Sequence, residues 1–143
     1  MYVVIIGGGR IGSAVARWLL EAEHEVVVID RDPSKRAVLE DELGSVVVAG
    51  DGTEAGTLAK AGANRADIVI ATTSQDDENL VACQLAKHRF GASRTVALVN
   101  ISDHDRLFGL LGIDVTINTT DLLVGSIQEE LGEVLVEEVR NLG

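Results

Sequence analysis

The first thirty residues constrain the fold of this chain more than anything that follows them. A β-branched apolar run, Tyr2-Val-Val-Ile-Ile6, leads into Gly7-Gly8-Gly9-Arg10-Ile11-Gly12, then a helical stretch, then Glu25-Val-Val-Val-Ile-Asp30. A strand that feeds Gly-x-Gly-x-x-Gly into a helix, followed by a second strand ending in an acid, is the sequence form of a dinucleotide-binding βαβ unit. Gly7 permits the tight turn off the strand, and Gly9 lets backbone N–H groups approach a phosphate with no Cβ in the way. Gly12 lets the helix pack against the sheet. The helix start adds unpaired N–H groups and the positive end of the helix dipole, both of which favour an anion. Ile11, Val15 and Leu19 recur every four residues and predict the inward face of that helix.

Asp30, 18 residues past Gly12, narrows the ligand. A carboxylate at the end of the second strand accepts hydrogen bonds from both hydroxyls of an adenine-side ribose and repels a 2′-phosphate. NAD(H), ATP, ADP or AMP therefore fit better than NADP(H). The other duty open to Asp30, capping the next helix, is one that Asp32-Pro33-Ser34 can perform alone.

The alternation continues along the chain. Apolar runs rich in Val and Ile predict strands at 2–6, 25–29, 45–49, 67–72, 95–99 and 114–117, and their continuity predicts cover on both faces. Helices are expected over 11–23, 33–43, 54–61, 77–90 and 103–111, with Gly44, Gly62, Gly91 and Gly112 just past four of their ends. Strand–helix–strand throughout implies right-handed crossovers and a parallel sheet, giving an α/β, Rossmann-type doubly wound six-stranded sheet of order 3-2-1-4-5-6. Ligands of such sheets lie over the carboxyl ends of the strands. There the chain offers Gly50-Asp51-Gly52-Thr53 after the third strand, Thr72-Thr73-Ser74-Gln75-Asp76-Asp77-Glu78-Asn79 after the fourth and Asn100 after the fifth. Each set also suits turns and helix caps. Their convergence on one sheet edge is what marks them as ligand residues.

Composition excludes several classes of function. A formal net charge of −11, with three lysines and nine arginines against 23 acids, leaves no basic cluster for nucleic acid. The sequence has no 18-residue apolar span and no basic-apolar leader, so neither membrane insertion nor secretion is expected. The single cysteine, Cys83, reads as a small packed thiol in a reducing cytoplasm.

The last segment has a different pattern. From Asp121 to Leu142, Leu123, Ile127, Leu131, Leu135 and Val139 recur every four residues, while Glu129, Glu130, Glu133, Glu137 and Glu138 occupy other faces. Residues 1–120 thus read as the nucleotide-binding domain and 121–143 as an amphipathic helix of the same domain. Part of its stripe is expected to cover the sheet, and the rest to grip a second subunit or a partner.

Taken together, the glycine loop, Val-Val-Val-Ile-Asp30-Arg-Asp, Gly50-Asp51-Gly52-Thr53, Asp76-Asp-Glu-Asn79 and the terminal helix resemble the nucleotide-binding domain of Trk and Ktr potassium-uptake regulatory subunits, also called the KTN, RCK N-terminal or TrkA-N domain. The resemblance covers nearly the whole chain. It implies that Gly7, Gly9, Arg10 and Gly12, with Ile11 in the same loop, hold phosphates, and that Asp30, followed by Arg31, holds the ribose. Asp51, Gly52 and Thr53 would lie beside the adenine, with Thr72, Thr73 and Asn79 completing the site. Arg10, a bidentate guanidinium, would sense whether a γ-phosphate is present. The implied partner is a membrane potassium channel or transporter subunit, served by a homodimer or higher homo-oligomer at the cytoplasmic face of the membrane. Some relatives place a Pro-Glu pair after the sixth strand and hold a cation there. This chain has Ile117-Asn118-Thr119-Thr120-Asp121 instead, so no metal site carries over. The family's usual C-terminal ligand-binding domain is also absent, which implies a short member or an N-terminal half.

Two kinds of function compete for such a pocket. One is a non-catalytic regulatory module whose ligand biases the geometry of an assembly. The other is the cofactor domain of an NAD-dependent oxidoreductase, which needs an acid or base beside the nicotinamide. His24, His88 and His104 show no metal-ligand spacing, and Asp103-His104-Asp105 is expected to cap a helix rather than to form a catalytic cluster. No nucleophile elbow, Walker lysine or paired-cysteine motif is present.

Overall fold

The computed structural model describes residues 1–44 and 46–142. At its centre β1 (Tyr2–Ile6) is buried along its whole length, between β2 (Glu25–Asp30) and β4 (Ile68–Ala71), both parallel to it. β3 (Val47–Ala49) lies outside β2, and β5 (Arg94–Val99) and β6 (Val115–Asn118) extend the other side. The order is β3-β2-β1-β4-β5-β6 and every pair is parallel, as the alternation of elements predicts. Ser45, included in the expected third strand, and Gly143, at the end of the expected terminal segment, lie outside the described residues.

Because side chains alternate across a strand, β1 serves two cores at once. Val3 and Ile5 pack with Ala16 and Leu19 of α1 (Arg10–Glu21) and Leu39 of α2 (Pro33–Leu43). Tyr2, Val4 and Ile6 face Leu58 of α3 (Ala55–Lys60), Ala82 and Cys83 of α4 (Asp76–His88), and Phe108 of α5 (Asp105–Leu110). Cys83 is fully buried, and burial pushes its thiol up to about 12, so it is an unreactive packing group. Gly44, Gly62, Gly91 and Gly112 all adopt positive φ at the helix ends where they were expected.

Three expectations are corrected. The buried line of α1 is Gly12, Ala16 and Leu19, with Val15 packed partly against it, while Ile11, the first residue of the expected stripe, is 48% exposed. Close packing decides this: a Cβ on Gly12 would lie 1.9 Å from the Gly7 carbonyl oxygen, so the small residue must face the sheet. Second, the helix expected over 103–111 is a 3₁₀ turn at Ser102–His104 followed by the shorter α5.

Third, the terminal helix α6 (Thr119–Leu142) covers no part of the sheet with its stripe. Its tertiary contacts are mainly with β5 and β6, at its root. None of its residues is buried, and Leu123, Ile127, Leu131, Leu135 and Val139 are between 55 and 69% exposed. A helix of 24 residues is about 36 Å long, so most of it extends past the sheet. Among the described residues no helix is long and apolar enough to cross a membrane.

Candidate functional site

The loops after the strands meet over the carboxyl edge of the sheet, where the strand order reverses between β1 and β4, and two adjoining cavities open there. They share Gly7, Asp30 and Thr73. The first, about 400 Å³ counted to its open mouth, has Ile6 and Ile29 in its wall together with Arg31, Asp51, Gly52, Thr53 and Glu78. The second, about 790 Å³, is bounded by Gly9, Arg10, Ile11, Lys35, Thr72, Ser74, Leu98 and Asn100. Both volumes suit a small ligand.

The two cavities carry opposite charge. In the first, Asp30, Asp51 and Glu78 face a single guanidinium, Arg31, which ion-pairs with Asp51 at 3.5 Å and hydrogen-bonds Glu78. In the second, Arg10 and Lys35 face only the shared Asp30, and among the described residues neither cation makes an ion pair. A neutral base and ribose hydroxyls suit the first, with its apolar patch and carboxylate acceptors. Phosphates suit the second.

The glycine loop is shaped from below and from the side. Thr72 Oγ1 lies 3.0 Å from the Ile6 carbonyl and 3.1 Å from that of Gly7, so its hydroxyl braces the loop from β4. Asp30 accepts from Gly8 N–H at 2.9 Å through one oxygen and from Asp32 N–H at 2.8 Å through the other. Each oxygen keeps a further lone pair for a ligand. Helix α2 is capped by Asp32, which accepts from Ser34 N–H at 2.9 Å, so Asp30 is free of that duty. Of the three consecutive glycines, Gly8 is the tightest, where a Cβ would meet Leu39 Cδ1 at 2.5 Å, whereas nothing lies within 4 Å of a Cβ on Gly9. The open space beside Gly9 leaves room for a phosphate to approach the backbone. Gly12 lies under the loop as its brace, away from the cavity walls.

In the third-strand loop, Asp51 accepts from Thr53 N–H at 2.8 Å and from its hydroxyl at 2.7 Å. The Thr53 hydroxyl, its N–H and Arg31 together hold the Asp51 carboxyl below the usual carboxylate range against the opposing effect of burial. Arg31 is held above its ordinary range, first by the Glu78 hydrogen bond and then by the charge of Asp51.

Asn79, like Gly12, stands apart from the other expected site residues. It is fully buried, donates to the carbonyls of Thr73 and Leu98 at 2.9 and 3.0 Å, and accepts from Thr73 N–H and hydroxyl at 3.0 and 2.7 Å. Every hydrogen-bonding position of its amide has a protein partner, so it shapes the loop that carries Thr73 instead of lining a cavity. Asp76 is buried too. Burial alone would raise its carboxyl, but N–H donors from Asn100 and Ile101, then His104 Nδ1 and the Asn100 amide, outweigh that and leave it lowered. The expected capping by Asp103-His104-Asp105 is not how the cluster is used: His104 reaches Asp76 at 2.9 Å, Asp105 accepts from the Thr116 hydroxyl, and no side chain caps α5.

Lys35 is a cavity residue outside the runs that the sequence marks, whereas Glu78 lies in the marked Thr72–Asn79 run. Lys35 lies in the first turn of the helix after Asp30, and Glu78 inside the Asp-Asp-Glu-Asn run. Their signal was position after a strand end, the same one that picked out Thr53.

A family model of the TrkA-N domain matches residues 3–119. The chain belongs to the TrkA-N domain family. It is 33% identical, over all of its 143 residues, to the Trk system potassium uptake protein TrkA homolog of Methanothermobacter thermautotrophicus, and 36% identical over 113 residues (79% of the chain) to the Trk system potassium uptake protein TrkA of Streptomyces coelicolor. It spans 66% and 51% of the lengths of these two TrkA-N relatives. Among solved structures it is similar to the GsuK channel bound to NAD, with 31% identity, a TM-score of 0.77, and coverage of 96% of this chain and 25% of that one. A GsuK structure bound to ADP matches with 32% identity, a TM-score of 0.76, and coverage of 90% and 34%.

Proposed function

We propose that this chain is a non-catalytic regulatory module that binds NAD(H) or an adenine nucleotide, ATP or ADP, and biases potassium transport by a membrane channel or transporter subunit. The observation that carries the reading is the pair of adjoining cavities of opposite charge around Gly7, Asp30 and Thr73. A nucleotide would lie across them with its adenosine toward Asp51 and Thr53, its ribose on Asp30, and its phosphates between Gly9, Arg10 and Lys35. The binding of NAD and ADP by the similar GsuK supports this ligand class, and the names of the Trk relatives support a potassium-transporting partner.

A regulatory role, in preference to hydride transfer, is supported by how the nearby acid and histidine are engaged. The Asp76–His104 pair, the best-formed acid–base pair near the site, lies outside both cavities, and its carboxylate accepts four donors from Asn100, Ile101 and His104. A ligand can regulate only by binding two states of an assembly unequally. The exposed stripe of α6 is the surface through which this chain would join a second copy in a homodimer or larger homo-oligomer, at the cytoplasmic face of the membrane.

Calorimetry with NADH, NAD⁺, ATP, ADP and AMP on the wild type and on Asp30→Ala tests the reading. Binding of at least one ligand, weakened in the variant, is expected; no heat from any of the five overturns it. Arg10→Ala should weaken ADP by about tenfold and AMP by less, because a guanidinium that clamps the outer phosphates loses little with a monophosphate.

A further inference from the structure

Asn100 stands where the second cavity meets the root of α6. It lines the cavity, and its side-chain amide is held from both ends. Nδ2 donates to Asp76 Oδ1 at 2.9 Å and, at a longer 3.3 Å, to the Thr73 carbonyl. Oδ1 accepts from the hydroxyl of Thr119, the first residue of α6, at 3.1 Å. The backbone carbonyl of Asn100 accepts from the Thr120 hydroxyl at 2.8 Å. One planar carboxamide, on a residue that lines the space assigned to phosphates, therefore holds Asp76 and Thr73 with its donor end and the start of the exposed helix with its acceptor end.

The root of α6 has a second arrangement within reach. The Thr119 hydroxyl carries one proton and has two acceptors, Asn100 Oδ1 at 3.1 Å and the Val99 carbonyl at 3.4 Å. Asn118, at the end of β6, accepts from Asp121 N–H at 3.0 Å, but among the described residues its Nδ2 is buried with no hydrogen-bond partner. A buried orphan donor costs free energy that a small shift of the root can recover.

We infer that Asn100 is a positioning residue that couples occupancy of the second cavity to the arrangement of the α6 root. The inference rests on the nucleotide-binding reading above. A phosphate oxygen beside Asn100 competes for the Nδ2 proton now shared with Thr73, the weaker of its two bonds. Because the amide is planar, turning its donor toward the ligand turns its acceptor away from Thr119. The Thr119 hydroxyl then passes to Val99, and the first turn of α6 moves with it. Occupancy would thereby reach the stripe that begins at Leu123, one turn along the helix.

The test is hydrogen exchange of the 143-residue chain with and without saturating ADP or NAD⁺, whichever calorimetry shows to bind, in the wild type and in Thr119→Val/Thr120→Val. Neither threonine lines either of the two cavities. In the wild type, ligand should change exchange across residues 119–127 by about threefold or more. The double variant should bind within about twofold of the wild type yet lose that change, and Thr119→Ser, which keeps the hydroxyl, should retain it. The ligand-dependent difference is the decisive readout, since a merely structural role would alter exchange equally in the free and bound protein. If the double variant does not fold, Thr119→Val alone carries the test. Binding without a change at 119–127, or a change that survives loss of the hydroxyls, overturns the coupling alone; absence of binding by the wild type overturns the nucleotide reading and the coupling with it.

Discussion

Val4 and Leu131 are both aliphatic residues in the middle of a regular element, yet Val4 is 0% exposed and Leu131 is 55% exposed. The contrast extends to their surroundings. Every residue of β1 is buried between two layers of helix, whereas α6 buries none of its 24 residues. Apolar periodicity reports that a face will be covered, and it is silent on whether the cover comes from the same chain. At β1 the cover is α1–α5. At α6 none of the described residues supplies it, and the stripe stays exposed from Leu123 to Val139.

The sharpest way to break this comparison is to put the same charge in both places. Val4→Asp should cost more than about 4 kcal/mol and prevent folding, because the carboxylate has no partner between the layers. Leu131→Asp should leave the melting transition of the subunit within about 0.5 kcal/mol of the wild type while shifting sedimentation toward the monomer. A Leu131→Asp protein that sediments like the wild type would remove α6 as the association surface.

The nucleotide end gives the next largest effect. Asp30→Ala should weaken the bound nucleotide about 100-fold in calorimetry, the loss of two charge-assisted hydrogen bonds to ribose at roughly 1.5 kcal/mol each. It also strips Gly8 N–H and Asp32 N–H of their acceptor, so part of the loss should appear as a floppier glycine loop.

A smaller effect tests the link between the two regions. The Asp76 carboxyl is lowered below its ordinary value of 3.8 in the folded chain, so the stability it contributes is complete above that value and is lost as pH falls through the lower folded value. The gap in denaturant midpoint between wild type and Asp76→Asn should therefore be constant from about pH 5 to about pH 7 and narrow below about pH 4. The smallest effect is expected for Arg31→Ala, whose ion pairs are half-exposed: a change in stability of about 0.5 kcal/mol or less in thermal melts at physiological salt.

Much of this molecule was legible in advance because its strands are short, apolar on both faces and separated by helices. Right-handed crossovers then leave few arrangements of the sheet. Glycine punctuation was equally readable, since only backbone conformation is at stake at Gly44, Gly62, Gly91 and Gly112. Asp32 as the cap of α2 followed from local chemistry alone. What misled were patterns whose meaning depends on distant contacts. Of the Ile11–Val15–Leu19 stripe, Leu19 and in part Val15 do pack inward, but Ile11 lies at the cavity. Asp103-His104-Asp105 looked like a cap because the buried Asp76 and Thr116 lie 28 and 11 residues from the residues they bind.

The sequence by itself determined the sheet order, the glycine turn, the carboxylate at the end of β2 and the amphipathic character of α6, because each rests on local periodicity and backbone preference. Only the tertiary structure decided that Asn79 and Asp76 work beneath the loops, and that Arg10 and Lys35 meet in one cavity while Arg31 is held by Asp51 and Glu78 in the other. It also decided that one asparagine touches both the cavity and the root of α6. Those facts depend on which charges and hydrogen-bonding groups become neighbours in space, and residues far apart in the chain acquire that relation only when the strands align and their loops converge.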